Sequence, residues 1–254
     1  PRILAEYQAR FPGRFRLRIA AKNQGVAANF LGAFNDCEDG YVAILEGDDS
    51  WISPDKLRLQ ADAMDANARA TLCGTNALVR DERQAGMTQI HPGHNRAYLS
   101  GVESILASNF FSTCTMMVRK RGTLAVPPQL QPVWGDWALK LHFAMAGDTL
   151  FLPQQTGCYR VSGSGAWSSL NPAQQECEVL RVLRAFLDYV GPSYAHILGP
   201  RIRRQLVLVG NAWRALGDEA RAQASRRELA ELPADTIGRP PAPHRPVAGV
   251  RGMA

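Results

Sequence analysis

Cysteine is scarce in this chain of 254 residues: there are five, at positions 37, 73, 114, 158 and 177, and no two form a CxxC pair. An odd and widely spaced set supports neither a disulfide framework nor a zinc site, and a reducing cytoplasm is the default compartment. No apolar stretch approaches the roughly 20 residues that a bilayer-spanning helix needs. Lysine is rarer still, four against 25 arginines, and no internal repeat is visible. A 46% hydrophobic share with 20% charged residues excludes wholesale disorder, collagen and coiled coil. What remains is a globular chain, long enough for one large α/β domain with an appendage.

The net charge of +6 is unevenly held. Residues 200 to 254 carry ten Arg against five acids, whereas the first 199 residues are nearly neutral. Because these arginines are scattered among Ala, Leu and Glu, they read as solvated helix faces, and no nucleic-acid partner is expected. Their second use would be peripheral contact with an anionic membrane face. Three apolar-striped segments near 173–190, 194–216 and 218–231 predict a helical appendage over 171–232. The stretch from 233 to 254, with Pro240, Pro241, Pro243 and Pro246 and no apolar periodicity, predicts a flexible tail.

The first 170 residues alternate helix and strand signals. Ile3 to Phe11 reads as a helix closed by Pro12 and Gly13, and Arg14 to Ile19 alternates with period two, which predicts a strand with one wet face. A small-residue helix follows at Val26 to Asn35, then a short buried strand at Tyr41 to Leu45. Ser53, as N-cap, and Pro54 predict a helix running to about Asn67. Further strands are expected at Thr71 to Val79, Phe111 to Arg119, Thr149 to Leu152 and Gly157 to Val161, with a helix over Trp137 to Met145.

The most informative stretch is Leu45-Glu46-Gly47-Asp48-Asp49-Ser50-Trp51, where a buried strand emerges into three carboxylates. Acids this close repel one another unless a positive charge sits between them. In open α/β sheets ligands bind beyond the carboxyl ends of the strands. Mg²⁺ or Mn²⁺ there would be held by one or two carboxylates plus substrate phosphate oxygens. Polymerases also place a Gly-Asp-Asp at a strand turn, but that arrangement needs a hairpin and far more chain; here Ser53-Pro54 starts a helix.

Asn23-Gln24-Gly25, Asn29, Ala33, Gly40-Tyr41, Gly47-Asp48-Asp49-Ser50-Trp51, Pro54, Lys56-Leu57 and Gln60, in this order and spacing, resemble the middle of a family 2 glycosyltransferase with a GT-A fold. The resemblance continues through Val118-Arg119, Gly135-Asp136-Trp137 and Tyr159-Arg160-Val161. It implies an α/β, Rossmann-like mixed sheet flanked by helices, and an inverting transferase. Such an enzyme moves a sugar from a nucleotide-diphosphate sugar donor to a glycan, lipid-linked or other hydroxyl acceptor, in surface polysaccharide or glycan synthesis. Asp49 with Asp48 would hold the divalent metal, and Asn23, Gly25, Asn29, Asp48 and Arg160 would contact the nucleotide. Asp136 would be the catalytic base, a role compatible with the helix N-cap that it otherwise suggests.

Three positions depart from the family pattern: Glu46 stands where Asp is usual, Gly135 replaces the first acid of a pair, and Ser162-Gly163-Ser164 occupies the place of a histidine. They motivate the alternative of a degenerate transferase fold serving as a binding or assembly module. His91 and His94 read as loop residues near the acceptor, His142 as packing, and Lys56 and Gln60 as surface residues one helical turn apart; Asn109 and Thr113 are candidates to touch acceptor hydroxyls. Family members open with a strand, a helix and a second strand before the helix that begins here. The expectation is therefore an N-terminally truncated domain, placed in the cytoplasm or at the inner face of the membrane.

Overall fold

The computed structural model describes residues 2–84, 87–163, 165, 167–232 and 244–248. They fall into two compact units, one comprising the residues up to Asp39 with Arg121–Ala125, the other Gly40–Lys120 and the residues from Val126 onward.

In the first unit, α1 (Arg2–Arg10) ends at Pro12 and Gly13, as their chemistry predicts, with Gly13 at φ +76°. Helix α2 (Val26–Asn35) starts after Gly25, whose φ of +79° is a left-handed conformation that favours glycine. The strand expected at Arg14 to Ile19 is not formed: Arg14 belongs to a turn and the residues after it carry no ladder. Its arginines bond instead to the end of α2, Arg16 Nη1 to the Asp36 carbonyl at 2.6 Å and Arg18 Nη1 to Asp36 Oδ2 at 2.9 Å. Period-two alternation describes one chain, whereas a strand requires a neighbour to complete its hydrogen bonds. Asn35 clamps the returning segment, its amide and carbonyl oxygen bonding Leu124 at 3.1 and 2.8 Å.

The second unit is built on a seven-stranded mixed sheet. Its main order is β1 (Gly40–Ala43), β6 (Met117–Lys120), β3 (Ala70–Asp81), β7 (Asp148–Val161) and β2 (Ser50–Trp51). Strand β4 (Met87–His91) pairs with β3 and β5 (Tyr98–Ser100) with β7. The long central pair, β3 and β7, is parallel; the remaining pairs are antiparallel. The two strands predicted at Thr149 to Leu152 and Gly157 to Val161 are one, because an irregular register opposite Thr75 to Ala77 absorbs Pro153 without ending the ladder. Asn76 holds this irregularity, its amide donating to the carbonyls of Pro153 at 2.6 Å and His94 at 2.8 Å. Of the strand expected from Phe111, only Met117–Lys120 is extended in the sheet; Thr113–Thr115 is a 3₁₀ turn that aims the Cys114 and Thr115 carbonyls inward.

Helices α3 (Lys56–Asp65) and α5 (Asp136–Ala146) pack on β3 and β7. Met64 of α3 is fully buried among Ala70, Cys73, Leu99, Met117, Leu150 and Leu152. Burial of such a side chain contributes about 1.5–3 kcal/mol. The helix α4 (Val102–Ala107) packs on α5.

The three C-terminal helices form as their stripes predict: α6 (Pro172–Val190), α7 (Ala195–Ala215) and α8 (Glu219–Glu231). Asn171 and Gln174 make a complete capping box ahead of α6, with Pro172 in the first turn. These helices share the sheet's compact unit. Trp137 of α5 meets Phe186 of α6 edge to face at 5.3 Å, and Arg201 of α7 lies over the same indole while donating to the Leu106 carbonyl. Of the Pro-rich end, residues 244–248 run beside β5, where Leu99 and Arg245 exchange two 2.8 Å backbone bonds; residues 233–243 and 249–254, and Ser164, lie outside the described residues. Among the described residues, no helix is long and apolar enough to cross a membrane.

Candidate functional site

The acidic turn leaves β1 and is pinned by β7. The Asp49 N–H donates to the Glu46 carbonyl at 3.2 Å, closing the turn, and Asp49 Oδ1 accepts the backbone N–H of Arg160 at 3.0 Å. Ser50 and Trp51 then form β2 against Cys158 and Gly157. A strand therefore does follow the acids, but it pairs with β7 and not back on β1, so the hairpin that a polymerase turn requires is not made.

Beneath the turn lies a polar core. Lys56 and Gln60 are not surface residues: they are 1% and 0% exposed. The Lys56 ammonium donates to Gln60 Oε1 and to the Thr115 carbonyl at 3.2 Å, and lies 5.1 Å from the centroid of Trp51. Gln60 Nε2 donates to the same Thr115 carbonyl at 2.9 Å, and the Trp51 indole N–H to the Cys114 carbonyl at 2.9 Å. The predicted face of α3 is correct in its spacing, but the 3₁₀ turn at Thr113–Thr115 offers carbonyls that only long polar side chains reach. The helix starts at Lys56, two residues after Pro54, with Asp55 and not Ser53 in the N-cap place and no side chain capping it. Burial pushes Lys56 down to about 8.

Arg160 spends its guanidinium on protein. Its Nε and Nη2 grip Glu82 at 3.0 and 3.2 Å, and Nη1 donates to the Asp48 carbonyl at 3.2 Å. It thus braces the acidic turn from both backbone and side chain. The Glu82 partner was missed in the sequence; the parallel register, which sets Arg80 opposite Arg160, puts it within reach.

Asp136 is the first residue of α5, with Gly135 and not Asp136 in the N-cap place. Its Oδ2 accepts from Asn109 Nδ2 at 2.9 Å, Thr113 Oγ1 at 3.3 Å and Lys140 Nζ at 3.0 Å. Burial works to raise this carboxyl, but the Lys140 charge and these hydrogen bonds outweigh it and hold Asp136 below the usual carboxylate range. Lys140 and the Asn109 contact are the components that the sequence reading did not assemble; the i, i+4 spacing of Asp136 and Lys140 is the signal that was available.

The acids at this end of the sheet sense one another. Glu46 is pushed up to about 7, first by burial and then by the charges of Asp49 and Asp136. Burial, with Asp48 adding to it, also raises Asp49. Tyr159 on β7 is raised by burial and by all four carboxylates, Asp49, Asp136, Asp48 and Glu46. The structure therefore brings Glu46, Asp48, Asp49, Asp136 and Arg160 to one end of the sheet. Asn23, Gly25 and Asn29 belong to the first unit. There the Asn23 carbonyl oxygen accepts the Gly25 N–H at 2.8 Å, and the three line a concavity of about 310 Å³ with Lys22, Gln24 and Val26.

No group of three or more His, Cys, Asp or Glu side chains converges as a metal cage among the described residues. A hard divalent cation does not need one when phosphate oxygens complete its shell. Asp48 and Asp49 supply hard carboxylate oxygens of the kind such a cation takes, and Glu46, raised first by burial, is raised further by the charge of Asp49.

Residues 1–124 match the family model of glycosyl transferase family 2. Asp136 and Arg160 lie beyond the matched residues. Among curated proteins, the uncharacterized proteins Rv1520 of Mycobacterium tuberculosis and Mb1547 of Mycobacterium bovis are each 32% identical over 220 residues, 84% of this chain. The chain spans 61% of the length of each. With a mixed sheet flanked by helices, an acidic turn beyond its first strand and a family match through the residues that build that turn, the chain carries a family 2 glycosyltransferase domain on a GT-A fold.

Proposed function

We propose that this domain is the catalytic domain of an inverting, metal-dependent glycosyltransferase, taking its sugar from a nucleotide-diphosphate sugar. The observation that carries the reading is the electrostatic meeting of the acidic turn with Asp136 at one end of the sheet, where Glu46 senses both Asp49 and Asp136. Asp49 with Asp48 is the pair to hold Mg²⁺ or Mn²⁺, and the bound ion would offset the charge growing on the departing diphosphate. Asp136 receives the proton of the acceptor hydroxyl as that oxygen attacks the anomeric carbon from the face opposite the leaving group, which inverts the stereochemistry. Arg160 braces the turn, and Asn23, Gly25 and Asn29 serve the nucleotide. The acceptor is a glycan or lipid-linked hydroxyl of surface polysaccharide synthesis, reached in the cytoplasm at the inner face of the membrane.

The test is release of nucleoside diphosphate from a panel of sugar donors by the full-length protein, with Mn²⁺ or Mg²⁺ present and after chelation. Asp136→Asn should lower turnover by about 100-fold or more while nucleotide affinity holds, the span expected for loss of a general base. Asp49→Asn should lose the metal-dependent release. Full turnover in Asp136→Asn would sink the reading, and unchanged partner binding with no transfer by any variant would favour a binding module.

A further inference from the structure

Lys140 has a fully buried ammonium with every donor engaged. It is 0% exposed, and its Nζ reaches Asn109 Oδ1 at 2.6 Å, the Phe111 carbonyl at 2.7 Å and Asp136 Oδ2 at 3.0 Å. The ring of Phe111 lies 4.9 Å from the same atom. Three donors on the ammonium meet three acceptors, so the charge has no rotational freedom left. Asn109 closes the figure, accepting from Lys140 through its carbonyl oxygen and donating to Asp136 Oδ2 through its amide. Thr113 adds a third donor to that oxygen.

A carboxylate tied this way is asymmetric. Oδ2 carries three donors and turns into the protein. The Asp136 side chain is 44% exposed, and it also takes a hydrogen bond from the Trp137 backbone N–H. Resting on the reading of Asp136 as the base, we propose that Lys140 is a positioning residue: through Oδ2 it locks the half-exposed Asp136 carboxylate in the orientation in which it accepts the proton of the incoming hydroxyl.

The surroundings give the pairing a purpose. Lys140, Asn109 and Thr113 bond Asp136; Glu46 of the acidic turn feels the charges of both Asp136 and Lys140, Tyr159 of β7 feels that of Asp136, and His91 of β4 feels that of Lys140. Lys140 gives Asp136 a buried countercharge at 3.0 Å, which with the hydrogen bonds to it holds this carboxyl below the usual carboxylate range against its own burial.

The experiment follows the Asp136 carboxyl by ¹³C NMR titration in the full-length protein, compares Lys140→Met and Lys140→Arg, and measures donor turnover against pH for each. In Lys140→Met the Asp136 titration should rise by about one pH unit or more and the acid limb of kcat should move with it, while Lys140→Arg returns both toward the parent. kcat should fall about tenfold or more in Lys140→Met with KM little changed. If Lys140→Met fails to fold, Lys140→Gln supplies an uncharged donor for the same comparison. A folded Lys140→Met or Lys140→Gln with an unmoved Asp136 titration overturns the proposal. Asp136→Asn that retains transfer would instead overturn the base assignment, so the two failures are distinguishable.

Discussion

Two lysines of this chain, Lys56 at the start of α3 and Lys140 as the fifth residue of α5, are buried in helices that pack on the same pair of central strands, and their surroundings differ in charge. Lys140 meets a carboxylate, Asp136, at 3.0 Å. The hydrogen bonds of Lys56 go to neutral oxygens, those of Gln60 and of the Thr115 carbonyl, with the Trp51 ring beside it. Both ammonium groups have lost water, but only one has regained a full countercharge, and the other is pushed down to about 8. The difference separates a charge that supports the fold under the acidic turn from one joined to a candidate reacting group. It also shows that burial of a lysine is by itself no sign of catalysis.

The two rings that accompany these lysines give the strongest way to break the comparison. Phe111, 1% exposed and seated against Gly74, lies over Lys140. Phe111→Ala should destabilise by about 3–5 kcal/mol in urea unfolding, the span for removing a buried aromatic ring. Trp51, at 36% exposed, should matter less. Equal losses from Phe111→Ala and Trp51→Ala would mean that the two lysine sites are packed alike.

Lys56 sharpens the comparison through pH. Its folded value lies below its ordinary 10.5, so between about 8 and 10.5 the unfolded chain binds more protons than the folded one. Stability therefore rises with pH across that window, by up to roughly 3 kcal/mol if the lysine alone is counted. Urea midpoints at pH 7.5 and 10 should show the rise in the parent and its loss in Lys56→Met. At pH 7.5 the substitution itself should be nearly neutral, within about 1 kcal/mol, because Thr115 keeps its bond from Gln60 and an uncompensated charge has been removed. The smallest effect is that of Trp51→Phe, which keeps a ring beside Lys56 but deletes the bond to the Cys114 carbonyl; about 1 kcal/mol is expected from the same unfolding curves.

Much of the architecture was legible. The apolar run before Glu46, the helix that follows Pro54 and the striped C-terminal segments all announce themselves, because hydrophobic period is a property of neighbours along the chain, although α3 starts two residues after Pro54 and without the Ser53 cap. The acidic turn was legible for the same reason, since close acids need no tertiary structure to repel. Less legible was Arg14 to Ile19, whose alternation is that of a strand but which has no partner to pair with. Nor did the gap between Leu152 and Gly157 reveal that β7 runs unbroken through Pro153, since the register irregularity opposite Asn76 belongs to two strands and not to either one.

The amino-acid order on its own determined where the apolar stripes run and where three carboxylates crowd at a strand end. Only the tertiary structure decided that Lys56 and Gln60 lie inside, that Arg160 is committed to Glu82, and that Lys140 shares Asp136 with Asn109. A polar side chain one helical turn from another looks the same whether it meets water or a ring of carbonyls. Which it meets depends on segments dozens of residues away, and the free energy of a charge depends far more on that solvation than on its place in the chain.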